Sequence, residues 1–168
     1  VPQKNIELAI DTFNDNQMPL MIAGDGPEKK RLMARAKQNI QFIGAMPRHS
    51  LLDLYLNCRA LVFPGVEDFG IVPVEAMAAG VPVIAYGYGG VLESVTDKTG
   101  IFFSSKTKSD LQSALNQFEK IILVTGITMP NPKHYKKHLL GSANYDYSVR
   151  PELVFDWKGV VSILQQSF

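Results

Sequence analysis

The chain has 168 residues, 46% of them hydrophobic and 20% charged, with a formal net charge of +1. That length and composition suit one ordinary domain with a buried core and exclude a disordered tail. The near-neutral charge, with no basic run interleaved with aromatics, excludes a nucleic-acid groove, and no apolar run reaches the roughly 20 residues of a membrane helix.

The one cysteine, Cys58, cannot form an internal disulfide, so an intracellular setting is expected. Its helical neighbourhood, Leu54 to Cys58, predicts a small buried residue and not a reactive thiol. No signal peptide is visible, and the chain begins with Val1, which fits a piece of a longer protein.

Ile6, Ala9, Ile10 and Phe13 follow helical spacing, which Asn14-Asp15-Asn16 is expected to break. Leu20 to Ala23 reads as a buried strand running into the turn Gly24-Asp25-Gly26-Pro27, and Pro27 suits the start of a helix through Leu32 and Ala36. The unit repeats. Ile40 to Ile43 is a strand ending at Gly44, and Ser50 to Asp53 resembles a capping box opening a helix through Leu56. Ala60 to Phe63 is a third strand, followed by a helix from about Ile71 to Ala79 that Gly80 ends. Val83 to Ala85 and Ile101 to Phe103 are two further strands, and Ser109 is expected to cap a helix carrying Leu111, Ala114, Leu115 and Phe118.

Residues 1–125 therefore predict an α/β domain with a Rossmann-like, doubly wound parallel sheet covered on both faces. Pro130, Pro132, Gly141 and Pro151 predict an irregular segment over 126–156, with no role assigned. Asp156 is expected to cap a C-terminal helix over 157–168 that carries Val160, Ile163 and Leu164.

Parallel sheets bind ligands at the carboxyl ends of their strands. Gly24 to Pro27, Gly44 to Pro47, Pro64 to Gly70 and Tyr86 to Gly90 all follow strands, so they should converge on one rim. Gly24-Asp25-Gly26 begins like a dinucleotide fingerprint but has Lys29 where the third glycine belongs. Its amides either approach an anion or make a plain turn. Asp97-Lys98-Thr99-Gly100 reads as a turn into the fifth strand. His134 and His138, four apart among lysines, read as a solvated basic face, since a zinc site needs a third ligand. His49 is assigned nothing.

Glu67 and Glu75 are separated by seven residues that include Gly70. A helix starting near Ile71 points its free amides into the crevice and favours a phosphate there. Gly65 and Gly70 allow close approach of a ligand to the backbone. Two carboxylates would repel that phosphate, so each is free to take sugar hydroxyls by charge-assisted hydrogen bonds. A loop acid beside a helix-start acid that serves the helix dipole explains the same pattern equally well.

The stretch FPGVEDFGIVPVEAMAAGVPVIAYGYGGVLESV, with LMIAGDGPEKKRL, NIQFIGAMPRHSLLDLYLNCRALVFPG and TGIFF in the same order, resembles family 4 retaining glycosyltransferases of the GT-B fold. It is most similar to bacterial mannosyltransferases of O-antigen, lipopolysaccharide and polysaccharide assembly. The resemblance covers about residues 2–120 and implies the second, donor-binding domain, with the N-terminal acceptor domain absent.

The resemblance implies that Lys4 binds the donor diphosphate, without the arginine that usually precedes it. It implies that Gly44, Ala45 and Met46 lie beside the base. Glu67 would contact the donor sugar, and Glu67 and Lys4 would be the catalytic residues. Asp68, Phe69, Gly70 and Ile71 would line sugar and phosphate, and Glu75 would hold the ribose. Gly24 and Gly26 complete the expected nucleotide-binding set. GDP-mannose is the favoured donor, and no metal or other cofactor is expected. The acceptor is expected to be a glycan or lipid-linked molecule bound by the missing domain. The full-length protein is expected in the cytoplasm, at the inner face of the membrane. The alternatives are half of a nucleotide-sugar epimerase and a non-enzymatic nucleotide-sugar-binding module.

Overall fold

A computed structural model describes residues 4–125 and 160–163. The elements run α1 (Ile6–Asn16), β1 (Leu20–Ala23), α2 (Lys29–Arg35), β2 (Ile40–Gly44), α3 (Arg48–Asn57) and β3 (Ala60–Phe63). They continue with α4 (Ile71–Ala78), β4 (Val83–Tyr86), α5 (Val91–Ser94), β5 (Gly100–Phe103), α6 (Lys108–Thr125) and β6 (Val160–Ile163). All pairings are parallel, and the sheet order is β2-β1-β6-β3-β4-β5.

The alternation of strand side chains builds two cores. Leu20, Ile22, Ala60, Val62 and Ile84 face a layer made by Ile10 and Phe13 of α1 and Leu111, Leu115 and Phe118 of α6. Met21, Ala23, Leu61, Phe63, Val83 and Ala85 face the opposite layer, made by Tyr55, Leu56, Val72, Ala76 and Val91. Strands apolar at every position are thus explained by burial on both sides. The expected doubly wound parallel fold is present.

The C-terminal segment departs from expectation. Residues 160–163, read as part of a helix over 157–168, form the strand β6. It lies between β1 and β3, with Leu20 opposite Val160 and Leu61 opposite Val161. Val160, Val161 and Ile163 are β-branched, which favours extended backbone, and two neighbouring strands supply partners on both sides. The doubly wound nucleotide-binding order is 3-2-1-4-5-6. Here β6 fills the position of the first strand in that order. The irregular segment, His134, His138 and the capping role of Asp156 lie outside the described residues.

Three boundaries moved for local reasons. α1 continues through Asn14 and Asn16 because their side chains bond outside the helix. Asn14 Nδ2 donates to the Arg35 carbonyl at 2.9 Å, and its Oδ1 accepts from the Lys37 amide at 2.8 Å. α3 opens at Arg48, before Ser50, with Pro47 in extended conformation as its cap. α6 opens at Lys108, capped by Thr107, whose Oγ1 accepts from the Asp110 amide at 3.3 Å; Ser109 lies inside the first turn.

Asp97 to Gly100 forms the expected turn, with the Thr96 carbonyl accepting from the amides of Thr99 and Gly100. Cys58 is buried as expected, and burial pushes its thiol up to about 12.

Candidate functional site: the carboxyl rim of the sheet

Because β1 to β4 are parallel, the turns after them share one rim. The turns after β1 and β2 meet directly, the Gly24 amide donating to the Gly44 carbonyl at 2.6 Å. The Gly26 amide donates to Asp25 Oδ1 at 2.8 Å, and Asp25 Oδ2 accepts from Lys29 Nζ at 2.9 Å. The amides of Gly24 and Gly26 are therefore engaged within the protein, which fits the plain turn better than an anion cradle. Ala45 is exposed, while Met46 packs partly against the core beneath α3.

The loop from Pro64 to Gly70 carries Glu67 outward from β3. It rests on the glycine turn after β4, where the Gly90 amide donates to the Glu67 carbonyl at 3.0 Å. A methyl group on Gly90 would stand 2.1 Å from the Asp68 carbonyl oxygen, so only glycine fits there. Gly70 turns the chain into α4 with φ of 72°, a conformation open mainly to glycine. Gly70, the N-cap of α4, has no side chain to cap the first turn, whose free amides lie at the rim end of the helix. Pro73, in that turn, has no amide to lose. Phe69 and Ile71 are exposed beside it.

Lys4 lies just before α1, and its ammonium pairs with Glu67 Oε1. The two side chains are largely buried, with 13% and 14% of their surfaces exposed. Burial lowers the Lys4 pKa from its ordinary value. Two residues 63 positions apart in sequence, each expected at the donor, thus meet at the rim.

Glu75, in α4, faces α3. Arg48 Nη2 stands 3.5 Å from Glu75 Oε1. Beside this pair a groove of about 630 Å³ runs between α3 and α4, floored by Leu51, Leu52, Tyr55 and Ala78. Burial chiefly, and the Glu75 charge in addition, push the Tyr55 pKa well up. A second groove, of about 310 Å³, lies at the amino ends of β4 and β5 near Pro82 and Gly100, away from the rim.

The structure thus brings Lys4 to Glu67, Gly24 to Gly44, and the Gly89-Gly90 turn under the Glu67 loop. It sets Glu75 just past the first turn of α4, against Arg48. The sequence reading passed over Arg48 and Tyr55. Only their placement opposite Glu75, which depends on how α3 packs on α4, marks them.

Residues 1–121 match the family model described as glycosyl transferases group 1. The alpha-1,3/1,6-mannosyltransferase of Dictyostelium discoideum is 48% identical over 66 residues, covering 38% of this chain and 16% of that protein. A GDP-mannose-dependent monoacylated alpha-(1-6)-phosphatidylinositol monomannoside mannosyltransferase of Corynebacterium glutamicum is 32% identical over 107 residues, covering 57% and 28%. Among solved structures, HepE of Anabaena in complex with UDP and glucose superposes with a TM-score of 0.67 at 23% identity, covering 82% of this chain and 41% of that one. That likeness establishes the fold. The chain spans about a third or less of the length of the curated relatives it matches. On the extent of the family match and the shared GT-B-type fold, this chain belongs to the glycosyl transferases group 1 family.

Proposed function

We propose that this chain is the donor-binding half of a family 4 retaining glycosyltransferase that uses GDP-mannose. The carrying observation is the Lys4–Glu67 pair at the rim, beside the uncapped start of α4. The donor diphosphate replaces Glu67 as the partner of Lys4 and meets the amides of α4, whose dipole favours negative charge. Glu67, released, accepts hydrogen bonds from the donor sugar. Glu75 accepts from the ribose.

In the reaction the bond between the anomeric carbon and the diphosphate oxygen breaks. The acceptor hydroxyl oxygen bonds to the anomeric carbon on the same face and gives its proton to the departing diphosphate oxygen. Charge gathers on the leaving diphosphate, and Lys4 with the α4 start stabilises it without a metal. The anomeric configuration is kept. Mannose as the sugar is supported by the two mannosyltransferase relatives. The acceptor, a glycan or lipid-linked precursor of a bacterial polysaccharide such as O-antigen, binds a second domain. The whole enzyme works in the cytoplasm at the inner membrane face. This chain alone binds nucleotide but transfers no sugar, because half a cleft does not exclude water.

The test is titration of the chain with GDP-mannose, followed by transfer assays on the full-length parent with a lipid-linked acceptor extract. Binding by the chain, product only from the parent, and an α-linked mannosyl product from the α-linked donor are expected. Transfer by the chain alone at the parent's rate would overturn the half-enzyme reading.

A further inference from the structure

The groove between α3 and α4 opens beside Glu75 and has an apolar floor of Leu51, Leu52, Tyr55 and Ala78. Its volume, about 630 Å³, lies within the range of small-molecule sites. The groove is also lined by Glu75 and by Arg48, the first residue of α3 and immediately beyond the Gly44 to Pro47 turn. Its side chain is 91% exposed and touches Glu75 at 3.5 Å. An ion pair that exposed is weak, so a ligand displaces the guanidinium from Glu75 at little cost.

We propose that Arg48 is the residue that selects the base of the donor, and that it selects guanine. The inference rests on the donor-site reading above, in which Glu75 holds the ribose. The base hangs one bond from that ribose, so it lies beside the group now touching Glu75. A guanidinium offers five donors in a fixed fork and no acceptor. It therefore fits a base edge with two adjacent acceptors. Guanine presents N7 and O6 in that arrangement. Adenine sets an amino donor beside its N7, and uracil sets a C–H beside its O4, so each leaves half of the fork unmatched. The apolar floor gives the ring a surface to lie on and does not distinguish one base from another.

The experiment is calorimetric titration of the chain with GDP, UDP and ADP, for wild type, Arg48→Ala, Arg48→Lys and Glu75→Gln. Because Arg48 is a surface side chain, unchanged circular dichroism and unfolding midpoint are expected for its variants. Wild type should prefer GDP. Arg48→Ala should weaken GDP about tenfold while leaving UDP and ADP within about twofold, and Arg48→Lys should not restore the preference. Equal loss for all three nucleotides, or no loss, would overturn the assignment and leave Arg48 as a support for Glu75. Failure of the underlying reading looks different: wild type would bind none of the three, or Glu75→Gln would leave every affinity unchanged.

Discussion

Gly90 holds Glu67 in place through the backbone: its amide donates to the Glu67 carbonyl at 3.0 Å, and its missing side chain is what lets the two segments meet. A methyl group there would collide with the Asp68 carbonyl, which belongs to a backbone that cannot rotate aside. Gly90→Ala should therefore push the Glu67 loop off the turn and cost about 1–3 kcal/mol. Urea unfolding measures the cost. Affinity for a sugar nucleotide should fall more than affinity for the bare nucleotide, because Glu67 is displaced and Glu75 is not.

The two glutamates should separate by ligand. Glu75→Gln should weaken GDP and GDP-mannose by the same factor, about 1.5–3 kcal/mol, because both carry the ribose. Glu67→Gln should weaken GDP-mannose alone. It also removes the carboxylate that occupies Lys4. Titration of both ligands on both variants checks this, and a parallel loss on Glu67→Gln would make Glu67 a support of the loop.

Lys4→Met leaves the largely buried Glu67 carboxylate without its cation. A buried charge that loses its partner costs about 1–3 kcal/mol. The double variant Lys4→Met/Glu67→Gln should recover most of that loss. Chemical unfolding of the four species in a double-mutant cycle gives the coupling, and additive losses would show that the pair contributes nothing to stability.

β6 is tested by Val161→Pro. Val161 lies opposite both Met21 and Leu61 in the middle of the sheet. Proline removes a ladder donor and is confined to sheet edges, so the loss should reach about 3 kcal/mol. An unchanged unfolding midpoint would mean that the strand does not support the fold.

Cys58 should resist thiol reagents in the native protein near neutral pH and react once the chain is unfolded. Its folded pKa, about 12, is raised from an ordinary 9.0 by burial. The neutral thiol is thus favoured by folding, and its contribution is fully present below pH 9.0 and lost as pH rises toward 12. Unfolding midpoints of wild type and Cys58→Ala measured across that alkaline range should converge as pH rises.

Much of the fold is legible in the sequence. Strands such as Leu20–Ala23 and Ala60–Phe63 are apolar throughout, which suits only a sheet buried on both faces. Glycine and proline marked most of the turns, because their backbone restrictions act locally. The rim was legible for the same reason: parallel strands that each end in a turn place those turns together.

The structure departs from local preference where a tertiary partner outweighs it. Val160-Val161-Ser162-Ile163 is too short to choose between helix and strand alone, and β1 and β3 decide it by pairing on both sides. Ser50 looked like a cap, yet Pro47 already fixes the chain entering α3. Asn14 looked like a helix breaker, yet Arg35 and Lys37 draw its side chain away from the helix backbone.

Periodicity and turn chemistry act over a few residues, so the layered α/β class and the rim were set locally in the sequence. The tertiary structure alone decided that Lys4 reaches Glu67, that Arg48 faces Glu75 and that β6 takes the central place in the sheet. Each of these joins residues far apart in the chain, and such contacts form only when packing of the whole sheet offsets the entropy of closing the intervening loops.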